Sequence, residues 1–212
     1  MGQITAFDIS KMISDFGCEA YVETGTGLAV SLEYALQNEM KEFYTVDIDD
    51  ALIEDAKSRL GSDDRITFVN DLSTVALEGI VPRLEKFDSV MFFLDAHFPG
   101  ADFHKMSYED SMRQYKEDSL PLKQELEILT NNRNCSNDVF IIDDLQLYED
   151  GDYQHQVWTH KELKVQVELG LRSSISFVED MFSDTHQILR FREHQGYLVL
   201  LPLEHTTQNS SK

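Results

Sequence analysis

Tyr21-Val22-Glu23-Thr24-Gly25-Thr26-Gly27 and, farther along, Phe43-Tyr44-Thr45-Val46-Asp47-Ile48-Asp49 are the two stretches whose reading decides the fold. The first is a short apolar strand that runs into an acid and two alternating glycines. Such glycines let the backbone turn tightly and let a ligand approach the N-terminus of the next helix. Ala29, Val30, Leu32, Ala35 and Leu36 give that helix its apolar pattern. A second strand then closes on Asp47, where a carboxylate can hold a ribose diol. Two glycines alone specify little; strand, loop, helix and acid-terminated strand in this order specify a nucleotide site.

Two kinds of ligand compete for the loop. A nicotinamide or flavin fingerprint needs glycine or alanine three residues beyond Gly27, for close packing of helix on strand, and Val30 stands there. Glu23, just before the loop, repels phosphates but suits a ligand that carries an ammonium and a sulfonium. S-adenosylmethionine is such a ligand.

With these residues the chain resembles the class I S-adenosylmethionine-dependent methyltransferases, whose first motif is an acid, any residue, glycine, any residue, glycine. The resemblance covers most of the chain. It implies that Glu23 and the backbone at Gly25 and Gly27 face the methionine part of the cofactor, and that Asp47 holds the ribose hydroxyls. Asp71, after Ile66-Thr67-Phe68-Val69-Asn70, falls where the family often places a side chain near the adenine amine. Ala29 replaces the usual third glycine.

Outward from this unit, strands and helices alternate, which predicts an α/β fold with a doubly wound, mostly parallel sheet covered on both faces. Strands are expected near 20–23, 43–47, 66–70, 88–94 and 138–143, with helices near 29–38, 50–60, 75–85 and 119–132. Ile4, Phe7, Ile9, Met12, Ile13 and Phe16 predict a leading helix over 4–16, laid over the sheet or the cofactor. Ser89–Leu94 and Val139–Ile142 are continuous apolar runs and should be central. His186–Arg192 and Tyr197–Leu201 flank a Glu-His-Gln-Gly turn and read as an antiparallel hairpin, which methyltransferases of this class also carry at their C-terminal end. Residues 98–118 combine proline, glycine, aromatics and charges without clean periodicity. A long segment there is well placed to cover an acceptor pocket, because ligands of such sheets sit outside the carboxyl ends of the strands. The expected organisation is one methyltransferase domain over 1–205, with 98–118 as acceptor lid and 206–212 as a frayed polar tail.

The chain has 212 residues with 39 acidic and 18 basic side chains, a formal charge of −21. That balance argues against a nucleic-acid partner, whose phosphates need Lys and Arg, and favours a small-molecule acceptor. Cys18 and Cys135 form no disulfide framework or paired zinc motif, and no apolar run approaches a membrane span, so the cytosol is the expected compartment. A homo-oligomer stays open.

The fourth strand runs into Asp95-Ala96-His97 and the fifth into Asp143-Asp144. Neighbouring parallel strands sit about 5 Å apart, so these carboxylates should meet, repel and raise one another's pKa unless a cation compensates. Mg²⁺, Mn²⁺ or Ca²⁺ would suit all-oxygen ligands. The strand ends are similar to those of the metal-dependent, macrocin-type sugar O-methyltransferases. That similarity implies Asp95, Asp143 and Asp144 as metal ligands and His97 as general base, although the family often has a second aspartate where His97 stands. The alternatives are a carboxylate pair that caps a strand, Asp95 bound to the cofactor amine, and a His97 that lines the pocket. His104, His155, His160, His186, His194 and His205 show no metal-ligand spacing, and Tyr153 and Trp158 read as acceptor-site walls or core.

The expected activity is therefore S-adenosylmethionine-dependent O-methylation of a small hydroxylated acceptor such as a sugar or natural product, with Asp95 and His97 at the reacting centre. The rivals are an NAD-dependent oxidoreductase on a related sheet and a cofactor-binding module without catalysis.

Overall fold

The computed structural model describes residues 4–155 and 160–203. Expectations for Trp158, His205 and the 206–212 tail fall outside the described residues.

Seven strands form one sheet: β1 (Ala20–Thr24), β2 (Glu42–Asp47), β3 (Ile66–Asn70), β4 (Val90–Leu94), β5 (Val139–Ile142), β6 (His186–Phe191) and β7 (Tyr197–Pro202). Their order is β3-β2-β1-β4-β5-β7-β6; β1 to β5 run parallel, and β7 is antiparallel to both its neighbours. Between the strands run α1 (Ile9–Phe16), α2 (Val30–Ala35), α3 (Asp50–Leu60), α4 (Ser73–Leu84), α5 (Tyr108–Tyr115), α6 (Leu122–Asn132), α7 (His160–Glu168) and α8 (Ser176–Phe182). No helix among the described residues is long and apolar enough to cross a membrane.

The continuous apolar runs are central because both their faces are covered. Val22, Phe92 and Phe140 pack with Leu77, Leu126 and Val178 on one face, while Tyr21, Phe93 and Ile141 pack with Ile9, Phe16 and Leu32 on the other. This is the doubly wound arrangement the alternation predicts. The leading helix is broken: Ile4–Ala6 form a 3-10 turn, and Asp8 caps α1 by accepting from the Lys11 amide at 3.0 Å. Phe7 then fits edge-on against Phe191 and Tyr197 of the hairpin.

The segment 98–118 is folded rather than irregular. Ser107 caps α5, its Oγ accepting from the Asp110 amide at 3.1 Å, and a 3-10 turn follows at Lys116–Ser119. The Ser107-x-x-Asp110 spacing is a helix-start signal that the irregular composition around it obscured. Helices α7 and α8 also went unassigned from sequence; α8 buries Phe177, Val178 and Phe182.

Register fixes the upper edge of the sheet. Thr24 pairs with Val46 and Leu94, and Leu94 with Ile142. The ladder continues one residue further: the Gly25 amide donates to Val46 O, Asp95 to Thr24 O and Asp143 to Leu94 O, at 2.8, 3.0 and 3.1 Å. Gly25 adopts φ +86°, and a Cβ there would lie 2.6 Å from the Asp95 carbonyl oxygen. Gly25→Ala should therefore destabilise the fold by about 3 kcal/mol through combined strain and overlap. Chemical denaturation measures this; a change below about 0.5 kcal/mol, typical of a neutral surface site, would contradict the tight junction.

Candidate functional site

Strands β1 and β4 are neighbours whose chains depart in opposite directions, the switch point at which such sheets bind ligands. A cleft opens there, lined by Gly25 and Gly27, Asp47 and Asp49 after β2, Asp71 after β3, Asp95 and His97 after β4, and Phe98, Pro99, Gly100, Asp102 and Phe103. Among the described residues, six aspartates (Asp47, Asp49, Asp71, Asp95, Asp102 and Asp118) line it, with one histidine and neither lysine nor arginine.

The loop is held from beneath. Asp47 accepts from the Gly27 amide at 3.0 Å and from the Asp49 amide at 2.9 Å, so it pins the loop while standing in the cleft wall. Burial raises its pKa against those two hydrogen bonds. Asp71 accepts from the Leu72 amide at 2.8 Å and lines the same cleft. Ala29 takes φ +56° at the start of α2, the left-handed conformation for which the missing glycine is suited.

Glu23 is wholly buried and is not among the cleft walls. Its carboxylate accepts from the hydroxyls of Tyr21 at 2.8 Å, Ser31 at 2.6 Å and Thr45 at 2.6 Å, bracing β1, β2 and α2 under the loop. Burial pushes its pKa up to about 7 in spite of these donors.

Asp95, His97, Asp143 and Asp144 do meet. His97 Nε2 is in close contact with Asp144 Oδ2, and its Nδ1 lies 3.9 Å from Asp95 Oδ1. Asp144 reaches back because its own backbone is left-handed, at φ +53°. Burial opposes a charged imidazole, yet the charge and hydrogen bond of Asp144, joined by Asp102 and Asp95, push the His97 pKa up to about 10. The compensating cation expected among these carboxylates is thus His97 itself. With Asp144 Oδ2 against Nε2, that nitrogen serves as a donor, so a neutral His97 base acting through Nε2 would require Asp144 to be drawn away, while Nδ1, 3.9 Å from Asp95, is too far to donate to it. Asp143 is raised well above the carboxylate range by burial and by Asp95 and Asp144. No cluster of three or more His, Cys, Asp or Glu side chains among the described residues is arranged to hold a metal. With Asp144 turned to His97, the three aspartates as placed do not fit the expected divalent site.

The segment 98–118 crosses the cleft on the side of Asp47 and Asp71. Lys105 pairs with Asp49, Tyr108 donates to Asp102 at 2.7 Å, and buried Phe98 carries φ +43°. Tyr153 braces the hairpin, with the Arg192 guanidinium 4.6 Å over its ring and its hydroxyl donating to Glu149 O. His186 is buried against Asp138 O at the opposite edge of the sheet.

No protein-family profile matches the chain, and no curated protein matches it. Solved structures do. A provisionally named caffeoyl-CoA O-methyltransferase of Staphylococcus aureus superposes with a TM-score of 0.61 at 14% identity, over 95% of this chain and 84% of that one. An S-adenosylhomocysteine-bound methyltransferase of Podospora anserina gives 0.57 at 12% identity, over 92% and 76%. A provisionally named rRNA methylase of Clostridium thermocellum gives 0.54 at 14%, over 95% and 98%. The chain has the class I methyltransferase fold. On that methyltransferase fold, the glycine loop and the acids after β2 and β3 form the cleft, and the acids after β4 and β5 stand beside it.

One residue of this edge escaped the sequence reading. Glu125 is 1% exposed on the core face of α6, between Leu122 and Leu129, and burial pushes its pKa up to about 7 against the nearby Ser73 and Thr24 hydroxyls. A glutamate inside the Leu122, Leu126, Leu129 stripe was the available signal.

Glu23 and Glu125 ionise near pH 4.3 when unfolded, by ordinary values, but only about pH 7 in the fold. Between those limits the fold binds more protons than the unfolded chain, so stability is highest on the acid side and falls as pH rises toward 7. His97, protonated in the fold up to about pH 10 but unfolded only to about 6.5, extends the decline above neutrality. The melting temperature should fall between about pH 5.5 and 8.5, and less steeply in Glu23→Gln. A flat or rising profile in scanning calorimetry would contradict these charge states.

Proposed function

We propose that this protein is an S-adenosylmethionine-dependent methyltransferase that methylates a hydroxyl of a small acceptor. The observation that carries the reading is the composition of the cleft: a glycine-floored site at the switch point, walled by six aspartates with no lysine or arginine among the described lining residues. Such a wall attracts an ammonium and a sulfonium and repels the pyrophosphate of NAD, which disfavours the oxidoreductase alternative. Only glycine leaves room at position 25 against the Asp95 backbone, which keeps the loop and the end of β4 side by side at the cleft. The residues fit the cofactor. Asp47 would hold the ribose hydroxyls, Asp71 would stand beside the adenine, and the Gly25–Gly27 backbone would lie against the methionine part.

S-adenosylmethionine, when bound, supplies a methyl group activated by its sulfonium. The chain's own task is to orient the acceptor and remove its proton. We assign that removal to Asp95. Its Oδ1 has no hydrogen-bond partner among the described residues, and it borders both the cleft and the cavity behind it. Burial raises its pKa, the His97 cation lowers it, and the balance falls at about 6, so it is ionised at neutral pH. His97, fixed by Asp144, keeps Asp95 charged. The net charge of −21 supports a small acceptor over a nucleic acid, and the name of the Staphylococcus aureus neighbour accords with an oxygen acceptor.

Calorimetric titration with S-adenosylmethionine, S-adenosylhomocysteine and NAD tests the cofactor: the first two should bind and NAD should not. Preference for NAD would overturn the reading. In methyl-transfer assays Asp95→Asn should lower kcat by about 100-fold, the usual worth of a general base. The rate should rise with pH through about 6, and His97→Gln should move that rise upward because a cation is lost beside Asp95. A rise that stays in place in His97→Gln would contradict the pairing. Turnover should survive dialysis against a chelator, since His97 already supplies the compensating charge; loss reversed by Mg²⁺ would restore the metal expectation.

A further inference from the structure

Phe98 to Lys105 form a strap along the cleft. Its base is fixed: the Phe98 amide donates to Ser119 O at 2.9 Å, Ser111 Oγ donates to Pro99 O at 3.0 Å, and the Phe98 ring meets Tyr108 edge-on. Its tip holds together by itself, because Gly100 O accepts from the amides of Lys105 at 2.9 Å and Met106 at 3.3 Å. Lys105, half exposed, then ties the tip across to Asp49, two residues beyond Asp47. Phe103 of the strap lines the same cleft as Ile48, Leu52 and Leu72. In this closed arrangement about 80 Å³ stands open between the walls, whereas a pocket for a whole ligand has roughly 300–1,000 Å³. The sheet side of the cleft is held by the ladder bonds at Gly25 and Asp95, so the strap is the wall that yields. Phe98 at φ +43° and His104 at φ +58° bracket its tip. Left-handed backbone at residues other than glycine is strained, and a change of loop conformation relieves it.

We propose that the strap is a cofactor gate, which swings away to admit S-adenosylmethionine and closes over its nucleoside with Phe103 as apolar cap and the Lys105–Asp49 pair as latch. This inference rests on the methyltransferase reading of the cleft, and it gives the segment a role toward the cofactor in place of the expected one toward the acceptor. Ile48, Leu52, Leu72 and Phe103 offer apolar surface to the faces of a purine. A half-exposed ion pair suits a latch, since it contributes little enough to open readily. Opening also strips Asp49 of its cation, so the open cleft is more negative by one charge and draws a sulfonium in. No covalent step is added.

The test measures association and dissociation rates of S-adenosylhomocysteine on the full chain by surface plasmon resonance. A latch holds the strap in both the empty and the loaded protein, so Lys105→Met should speed both rates by about two- to fivefold and leave Kd nearly unchanged. Phe103→Ala removes a contact made to the bound nucleoside, so it should speed dissociation alone, by about tenfold. Raising sodium chloride from about 0.05 to 0.5 M should speed both rates in the wild type through screening, and should do so less in Lys105→Met. Unchanged rates in Lys105→Met, a rise in its dissociation rate alone, or unchanged dissociation in Phe103→Ala overturns the proposal. Failure of the wild type to bind S-adenosylhomocysteine would instead strike the reading beneath it, and the gate with it.

Discussion

Gly25 packs against the backbone of Asp95, and the rest of the site depends on that contact. The missing side chain lets β1 and β4 stay in register to their last residues. The glycine loop and the acids of the reacting edge therefore emerge side by side. A larger residue would push apart the two halves that must share a ligand. The hydrogen bonds that continue the ladder past the strand ends, to Gly25, Asp95 and Asp143, fix the same geometry.

Charge is the second constraint. An acidic chain has gathered more carboxylates at this edge, and the fold accommodates them by several physical means. Glu23 is surrounded by three hydroxyls, Asp47 by two backbone amides, and Asp144 by the His97 cation. Asp95, Asp143 and Glu125 keep oxygens without partners. The partners of Glu23 and Asp47 brace the loop from beneath, and Asp47 stands in the cleft wall as well. Glu23, expected as a cofactor contact, is buried beneath the loop with all three of its partners in β1, β2 and α2, whereas Glu125 lies within the apolar stripe of α6.

The sheet was legible in the sequence because its signals are local. Ser89–Leu94 and Val139–Ile142 are apolar on both faces, and the Glu193–Gly196 turn separates two strand patterns. Strand-end acids were legible for the same reason, since a parallel sheet sends Asp47, Asp71, Asp95 and Asp143 to one edge. The charge of His97 was not, because it depends on a left-handed turn at Asp144 that no composition signals. Helix α5 was hidden by the polar and aromatic residues around its Ser107 cap. Segment 98–118, expected as acceptor lid, borders the cleft shared with Asp47 and Asp71, where Lys105 pairs with Asp49 across distant sequence.

The central claim is that one cleft, floored by Gly25 and Gly27 and walled by aspartates, takes the cofactor at the β1–β4 switch point. A crystal structure with S-adenosylhomocysteine tests it most directly. The account predicts ribose hydroxyls on Asp47, adenine beside Asp71, and the sulfur facing Asp95. Ligand density elsewhere on the chain, or a nucleoside reversed in the cleft, would contradict it.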